Sequence, residues 1–204
     1  MTHKKPIIGL CGGIGAGKSR VAAEFERLGC LVVDSDRLNH EVLRQPEMAE
    51  TLKSWWGRDV LDAEGLPDRR QIAEIVFADG EAKRRLESLV HPLIARRRAT
   101  MIKAVEDNPA VKAIVIDSPL LLESHLDREC DTLVFVNTAE SRRLERLRQE
   151  RGWTAEDVKR RKCWQIPLVE KRSRATYVLE NDGPIEQLRP QVADILRTIV
   201  AQRS

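Results

Sequence analysis

Two short apolar runs near the start of the chain predict neighbouring buried strands. The first spans residues 6–11 and leads into a glycine-rich turn, and the second spans residues 30–33 and ends at Asp34. Between them, residues 18–28 repeat apolar side chains at the spacing of one helix face, and Gly29 follows as a C-cap. A strand, a helix and a strand in this order predict a parallel sheet.

The middle of the chain is more polar and has a helical pattern. From Arg37 to about Val105 no convincing buried strand occurs, and we interpret the stretch as a helical insertion beside the sheet. Helix breaks are expected at the following places: Gln45-Pro46, Trp55-Trp56-Gly57, Glu64-Gly65-Leu66-Pro67, Asp79-Gly80 and His91-Pro92.

The sheet pattern returns after this insertion. Apolar runs over residues 113–116, 132–136 and 177–179 predict three further strands, of which the first two end at Asp117 and Asn137. A helical segment, residues 140–174, separates the last two strands, and an amphipathic helix over 185–201 follows the last one. The predicted fold is therefore α/β, with a parallel five-stranded sheet flanked by helices.

Composition and charge fit a globular protein with one unusually basic segment. The 204 residues are 42% hydrophobic and 33% charged, with a net charge of +3. Residues 140–174 contain 12 Lys and Arg against 6 Asp and Glu, so they are positive and the remainder is mildly acidic. Met1–Pro6 leads into too short an apolar run for a secretion signal, and nothing approaches a membrane span. We predict a cytoplasmic protein.

The turn after the first strand carries the strongest chemical motif. Gly12-Gly13-Ile14-Gly15-Ala16-Gly17-Lys18-Ser19 fits G-x-x-x-x-G-K-[ST] and lies between a predicted strand and a predicted helix. In this loop the backbone N–H groups of residues 13–20 surround phosphate oxygens, Lys18 reaches the β- and γ-phosphates, and the Ser19 hydroxyl binds Mg²⁺. We predict binding of a nucleoside triphosphate with Mg²⁺.

The surroundings of this loop favour a small-molecule kinase. No Asn-Lys-x-Asp guanine motif and no Asp-x-x-Gly switch is present, whereas a helical insertion and an Arg-rich segment are. An acceptor domain and a lid would explain both, because a lid excludes water from phosphoryl transfer.

Three carboxylates lie at predicted strand ends, where open parallel sheets bind ligands. Asp34 and Asp36 follow the second strand, and either a proton-accepting role or N-capping of the next helix fits Asp36. Asp117 is predicted to hold Mg²⁺, directly or through water, or to pair with Lys18.

These segments together resemble the dephospho-CoA kinase family over nearly the whole chain. Besides residues 9–19, the resemblance rests on the following pieces: Asp34-Ser35-Asp36, Leu89-Val90-His91-Pro92, Asp117-Ser118-Pro119-Leu120-Leu121-Leu122-Glu123, Gln165-Ile166-Pro167-Leu168, Lys171-Arg172-Ser173-Arg174-Ala175 and Asn181-Asp182-Gly183. It implies transfer of the ATP γ-phosphate to the ribose 3′-hydroxyl of dephospho-CoA, the last step of coenzyme A synthesis.

The resemblance also implies residue roles. Asp36 would face the 3′-hydroxyl, and Asn181 and Gly183 would lie beside the adenine, near Arg20. The acceptor side would include the following residues: His91, Asp117, Pro119 and Leu120. In the lid, Arg146 matches best the arginine that contacts the transferred phosphate, with Arg148 and Arg151 as alternatives because Glu150 replaces a usual arginine.

The implied domains are a P-loop core, an acceptor domain and a lid. The core comprises residues 1–36, 106–139 and 175–204, the helical acceptor domain 37–105, and the Arg-rich lid 140–174. The expected partners are ATP and dephospho-CoA, with no nucleic acid and no membrane, in a monomer or weak homo-oligomer.

Overall fold

The computed structural model of the chain describes residues 4–203. Residues 1–3 and 204 lie outside the described residues. They belong to the predicted core ranges 1–36 and 175–204, and the first three also belong to the stretch Met1–Pro6 that the signal prediction used.

Five strands form one entirely parallel sheet, which confirms the predicted fold class. The strands are β1 (Ile7–Gly12), β2 (Leu31–Asp34), β3 (Ile114–Asp117), β4 (Thr132–Asn137) and β5 (Tyr177–Glu180). Their order is β2-β3-β1-β4-β5, and every pair is parallel. The carboxyl ends of the strands therefore meet at one edge, on both sides of the central β1, where the chain order of the strands reverses.

Helices connect these strands. They are α1 (Lys18–Arg27), α2 (Ser35–Leu43), α3 (Pro46–Trp56), α4 (Arg69–Ala78), α5 (Gly80–Val105), α6 (Glu140–Arg151), α7 (Ala155–Lys162), α8 (Leu168–Arg174) and α9 (Ile185–Ala201). Short 3-10 helices occupy Arg58–Val60 and Leu126–Glu129.

The main core lies between the sheet and the pair α1 and α9. Phe25 of α1 and Leu188 of α9 are fully buried against Ile8, Leu10 and Val115 of the central strands. All six residues of β1 are buried, which explains why that strand reads as a continuous apolar run with no alternation. This core holds the carboxyl end of β1 in place, and the phosphate loop begins there.

The chain divides into two compact units, residues 1–34 with 104–204 and residues 35–103. The second unit has its own core, which includes Leu52, Val60 and Val90. Trp55 and Trp56 pack against that core, with their ring centroids 5.7 Å apart in an edge-to-face arrangement. The tryptophans therefore serve packing in this unit.

One expected break in the second unit is wrong. The chain does not break at His91-Pro92, because α5 continues from Gly80 to Val105 with Pro92 inside it. Proline removes a single intrahelical donor. The apolar contacts of Val90 and its neighbours with the unit's core bind this part of the helix in place despite that loss.

Across residues 4–203, no helix combines the length and the apolar character that crossing a membrane requires.

Candidate functional site

The phosphate loop lies between β1 and α1, as its sequence predicts. The N–H of Ala16 donates to the Gly13 carbonyl at 3.1 Å, and Gly17 adopts the left-handed conformation, with φ 81° and ψ 34°, just before α1 begins. The first turn of α1 contains no acidic residue. The positive end of this helix therefore faces the loop with no acidic residue of its own first turn, and a helix N-terminus of this kind favours phosphate.

Ser19 and Asp117 come together beside this loop. The Ser19 hydroxyl donates a 2.9 Å hydrogen bond to Oδ2 of Asp117, although 97 residues separate them in the chain. Ser19 lies in the first turn of α1, and Asp117 is the last residue of β3. The pair brings a hydroxyl and a carboxylate oxygen to the phosphate end of the loop, and both are oxygen ligands of the kind Mg²⁺ prefers.

The carbonyl oxygen of Ala16 accepts hydrogen bonds from three side chains, which lie in three different parts of the chain. Oγ1 of Thr138, just after β4, donates to it at 2.9 Å, and Nδ2 of Asn181, just after β5, donates at 2.8 Å. Nη1 of Arg146, from α6, lies 3.4 Å from the same oxygen. Both Thr138 and Asn181 are buried. The residues that follow β4 and β5 thus hold the phosphate loop through the Ala16 carbonyl.

Arg146 and Arg20 tie the same region to the loop after β5. Nη2 of Arg146 donates to the Asn181 carbonyl at 2.6 Å. Nη1 of Arg20 donates to Oδ1 of Asn181 and to the Gly183 carbonyl, both at 3.3 Å. The predicted nucleotide residues Arg20, Asn181 and Gly183 are therefore neighbours, and Arg146 contacts them.

Arg143 is a residue of this site that sequence reasoning missed. Its side chain, on α6, is buried; Nε donates to the Thr138 carbonyl at 3.2 Å and Nη1 to the Ile14 carbonyl at 3.4 Å. Glu140 lies 3.8 Å from the same guanidinium. The sequence gives no sign that this arginine, among the many of residues 140–174, is the one that packs on the phosphate loop.

The end of the Arg-rich segment is held by a buried ion pair. Nζ of Lys171, on α8, lies 2.8 Å from Oε1 of Glu123, and their side chains are only 2% and 13% exposed. The same Oε1 accepts the backbone N–H of Ile166 at 3.0 Å, and Gln165 donates to the Pro119 carbonyl at 3.1 Å. Glu123 thus joins the loop after β3 to both α8 and the turn before it.

The middle of this segment, α7, is exposed. None of its residues, all of which the structure describes, is buried. Thr154 and Asp157 form a capping box at its start, and the hydrogen bonds from Thr154 and then Arg160 lower the pKa of Asp157 to about 2. Arg148 is exposed, and Arg151 and Arg161 lie over the Trp153 ring. This helix supplies positive charge at the surface.

Cys11 lies beneath the loop and is chemically inert there. Burial raises the pKa of its thiol to about 11, although the positive charges of Lys171 and Lys18 oppose that shift. A neutral buried thiol is neither a nucleophile nor a metal ligand at neutral pH. Cys11 therefore serves packing.

The predicted acceptor residues are distributed over the two units. Asp117, Pro119 and Leu120 follow β3, and Leu120 is exposed. Asp36 is exposed in the first turn of α2, and His91 is exposed on α5; both belong to the second unit. The roles of Asp36 and His91 in binding the acceptor stay predictions.

A parallel sheet with β1 at its centre, a G-x-x-x-x-G-K-S loop before α1 and a Ser19–Asp117 contact define a P-loop phosphotransferase. Comparison with known proteins narrows this class. The family model for dephospho-CoA kinase matches residues 6–187. The chain belongs to the dephospho-CoA kinase family.

Individual relatives agree with this family. A dephospho-CoA kinase of Corynebacterium glutamicum is 36% identical over 197 residues, which cover 96% of this chain and 98% of that protein. The crystal structure of TT1252 from Thermus thermophilus matches with a TM-score of 0.80 and 32% identity over 100% of both chains. Dephospho-CoA kinase from Campylobacter jejuni has the same fold, with a TM-score of 0.67 and 24% identity, over 96% of this chain and 98% of that one.

Proposed function

We propose that this protein transfers the γ-phosphate of ATP to the ribose 3′-hydroxyl of dephospho-CoA, giving coenzyme A and ADP. The observation that carries the proposal is the phosphate loop with its Ser19–Asp117 contact, set in a chain whose match to the dephospho-CoA kinase family spans residues 6–187. In the reaction the 3′-oxygen forms a bond to the γ-phosphorus, and the bond between that phosphorus and the ADP oxygen breaks.

The nucleotide binds through the loop and the residues after β5. Amide groups of the phosphate loop surround the phosphates, and the ammonium of Lys18 stabilises the charge of the β- and γ-phosphates. Arg20, Asn181 and Gly183 lie beside the adenine in this proposal. The hydrogen bonds that join these three residues support it, because they form one contiguous surface next to the loop.

Magnesium fits the oxygen ligands beside the loop. The Ser19 hydroxyl and the Asp117 carboxylate would hold the ion, and their 2.9 Å hydrogen bond supports this because it brings both oxygens together beside the loop. Mg²⁺ binds proteins through one or two such oxygens and completes its coordination with phosphates and water. When bound, the ion neutralises developing charge on the phosphate oxygens.

The acceptor is activated and held by residues outside the loop. Asp36 accepts the proton that the 3′-hydroxyl loses, and it orients that hydroxyl toward the γ-phosphate. His91, Pro119 and Leu120 contact dephospho-CoA, within an acceptor domain over residues 37–105. The position of Asp36 two residues after β2 supports its role, because strand carboxyl ends bind ligands in this class of sheet.

The Arg-rich segment 140–174 acts as a lid that excludes water from the reacting phosphate. Arg146 is the arginine that contacts the transferred phosphoryl group; it matches the family pattern best, and its hydrogen bonds to the Ala16 and Asn181 carbonyls keep it beside the phosphate loop. Arg148 is exposed, and the guanidinium of Arg151 lies over the Trp153 ring. The cytoplasmic location and the monomeric or weakly oligomeric state stay predictions.

The test is an acceptor-dependent assay. Purified protein is mixed with ATP, Mg²⁺ and dephospho-CoA, and ADP and coenzyme A are quantified together by chromatography. We expect equal amounts of both products, and no ADP above background when AMP, adenosine or shikimate replaces dephospho-CoA. ADP release that does not depend on dephospho-CoA, or that depends equally on another acceptor, would refute the proposal.

A further inference from the structure

We propose that Thr138 and Arg143 are positioning residues which, together with the side-chain amide of Asn181, orient the phosphate loop by holding two of its carbonyl groups. The inference rests on the proposed function in that the loop must bind ATP. It assigns to Thr138 and Arg143, and to Asn181 besides its proposed place beside the adenine, a role that acts through the backbone of Ile14 and Ala16.

The Ala16 carbonyl is the more tightly held of the two. Thr138 Oγ1 and Asn181 Nδ2 donate to it at 2.9 and 2.8 Å, which are normal lengths for strong hydrogen bonds. A carbonyl oxygen has two lone pairs, so these two donors satisfy it. Both side chains are buried, with 6% exposure for Thr138 and 1% for Asn181, so water does not compete strongly for the same oxygen.

The Ile14 carbonyl is held by a charged group. Nη1 of Arg143 donates to it at 3.4 Å, and Nε of the same side chain donates to the Thr138 carbonyl at 3.2 Å. One buried guanidinium therefore joins the loop to the residue that holds its other carbonyl. Arg143 and Thr138 form a continuous support along the outer side of the loop.

A hydrogen bond that fixes the direction of one carbonyl also fixes the direction of the N–H of the next residue, because both belong to the same planar peptide group. The peptide bond is planar and trans, so the C=O of one residue and the N–H of the next point in opposite directions. Holding the Ile14 carbonyl outward makes the Gly15 N–H point inward, and holding the Ala16 carbonyl outward does the same for the Gly17 N–H. Inward N–H groups are the donors that bind phosphate in this loop.

The glycines of the loop fit the same arrangement. A Cβ at Gly17 would overlap Nδ2 of Asn181 and lie 3.1 Å from Nη1 of Arg146, and a Cβ at Gly13 would lie 2.7 Å from Nη1 of Arg143. These close approaches are to the side chains that hold the loop. Glycine at these two positions therefore leaves room for Arg143 and Asn181.

The functional consequence is a loop that is oriented before ATP arrives. Without the support, binding of the phosphates would also have to order the amides, and that ordering lowers affinity. The loss falls on the part of the nucleotide that the amides contact. Thr138 and Arg143 therefore contribute to binding of the phosphates of ATP and ADP, and their loss leaves binding of the adenosine part and of dephospho-CoA unaffected.

The test uses Thr138→Val, which keeps the shape of the side chain and removes its hydroxyl, with Thr138→Ser as the matched control that keeps it. ADP affinity is measured by titration calorimetry, and adenosine affinity by competition. We expect ADP to bind about threefold to tenfold more weakly to Thr138→Val, since one hydrogen bond to a buried carbonyl is lost. Adenosine affinity and the KM for dephospho-CoA stay unchanged, and Thr138→Ser restores ADP affinity.

Two results would overturn the inference. One is unchanged ADP affinity in Thr138→Val, and the other is an equal loss for ADP and adenosine, which indicates a general structural defect. If circular dichroism shows that Thr138→Val is unfolded, the same pair of affinities in Arg143→Met decides. Failure of the proposed function is a separate outcome, because it appears as a wild-type protein that binds ADP but makes no coenzyme A.

Discussion

The two basic helices at the start of the 140–174 segment, α6 and α7, differ in what their arginines contact. On α6, Arg143 is buried against the phosphate loop and Arg146 donates to two backbone carbonyls. On α7, Arg160 pairs with Asp157 on its own helix and is mostly exposed. The arginines of these two basic helices therefore make different contacts: Arg143 and Arg146 contact the phosphate loop, and Arg160 contacts its own helix at the surface.

The predicted lid, residues 140–174, therefore makes buried contacts at its two ends and is exposed in its middle helix. Its first helix is fixed to the loop by buried contacts, and its last helix, α8, is fixed by the Lys171–Glu123 pair. Between these fixed ends lies α7, which buries no side chain among its described residues. If part of this segment moves during the reaction, the contacts favour motion of α7 with the two ends as its attachments.

The largest expected effect concerns Asp36, the proposed proton acceptor. Asp36 lies on α2 and so belongs to neither basic helix, and its loss should affect the chemical step but not nucleotide binding. Asp36→Asn removes the group proposed to take the proton of the 3′-hydroxyl, and kcat should fall about 100- to 10,000-fold. ADP affinity should stay unchanged in calorimetry, because the phosphate loop is intact. Asp34→Asn is the control, and it should retain most of its turnover. Normal kcat in Asp36→Asn would rule out this role.

The second prediction breaks the attachment at the end of the segment. Lys171→Met leaves the Glu123 carboxylate buried without its partner, and the free energy of unfolding should fall by about 3 to 5 kcal/mol. Arg174→Met on the same helix is the control. It removes an exposed ion pair with Glu170, so it should lower stability by less than about 1 kcal/mol.

Urea unfolding of both variants measures this difference. Adding Glu123→Leu to Lys171→Met should recover much of the loss, since no buried charge remains. Equal destabilisation by the Lys171 and Arg174 variants would contradict the conclusion that the buried pair attaches α8.

The third prediction compares two glycines in the left-handed conformation. In Gly17→Ala the new Cβ meets Asn181 and Arg146, so ADP affinity should fall about 30-fold. Gly152→Ala, between α6 and α7, introduces the same kind of backbone strain at φ 64° with nothing within 4 Å of the new atom. It should leave ADP affinity within about twofold while lowering stability by about 1 kcal/mol.

Calorimetric titration with ADP and thermal unfolding separate these effects. An equal loss of ADP affinity in both variants would mean that backbone strain alone, and not contact with the supporting side chains, explains the need for glycine at position 17.

Sequence patterns predicted the sheet and the loop well because both depend on local signals. Continuous apolar runs located all five strands to within a residue or two, and G-x-x-x-x-G-K-S located the phosphate loop directly. The end of β3 at Asp117 also followed from its run, so a carboxylate near Ser19 was expected. The family resemblance, which the comparisons confirm, rests on the order of such local pieces.

The rest depends on contacts between residues distant in the chain, which one sequence does not reveal. Thr138 and Ala16 meet across 122 residues, and Arg143 and Ile14 across 129. Nothing local distinguishes Arg143 from Arg142 or Arg148. The break expected at His91-Pro92 was wrong for a related reason, since the packing of α5 outweighs the local effect of Pro92.

The most direct test of this account compares one arginine from each basic helix. Arg143→Met and Arg160→Met remove the same charge from the same segment, and ADP affinity is measured by calorimetry without dephospho-CoA. We predict that Arg143→Met weakens ADP binding about tenfold, because a charged hydrogen bond to the phosphate loop is lost, while Arg160→Met changes it less than about twofold. Equal losses in the two variants would contradict the account, since they would show that the segment acts through its total charge alone.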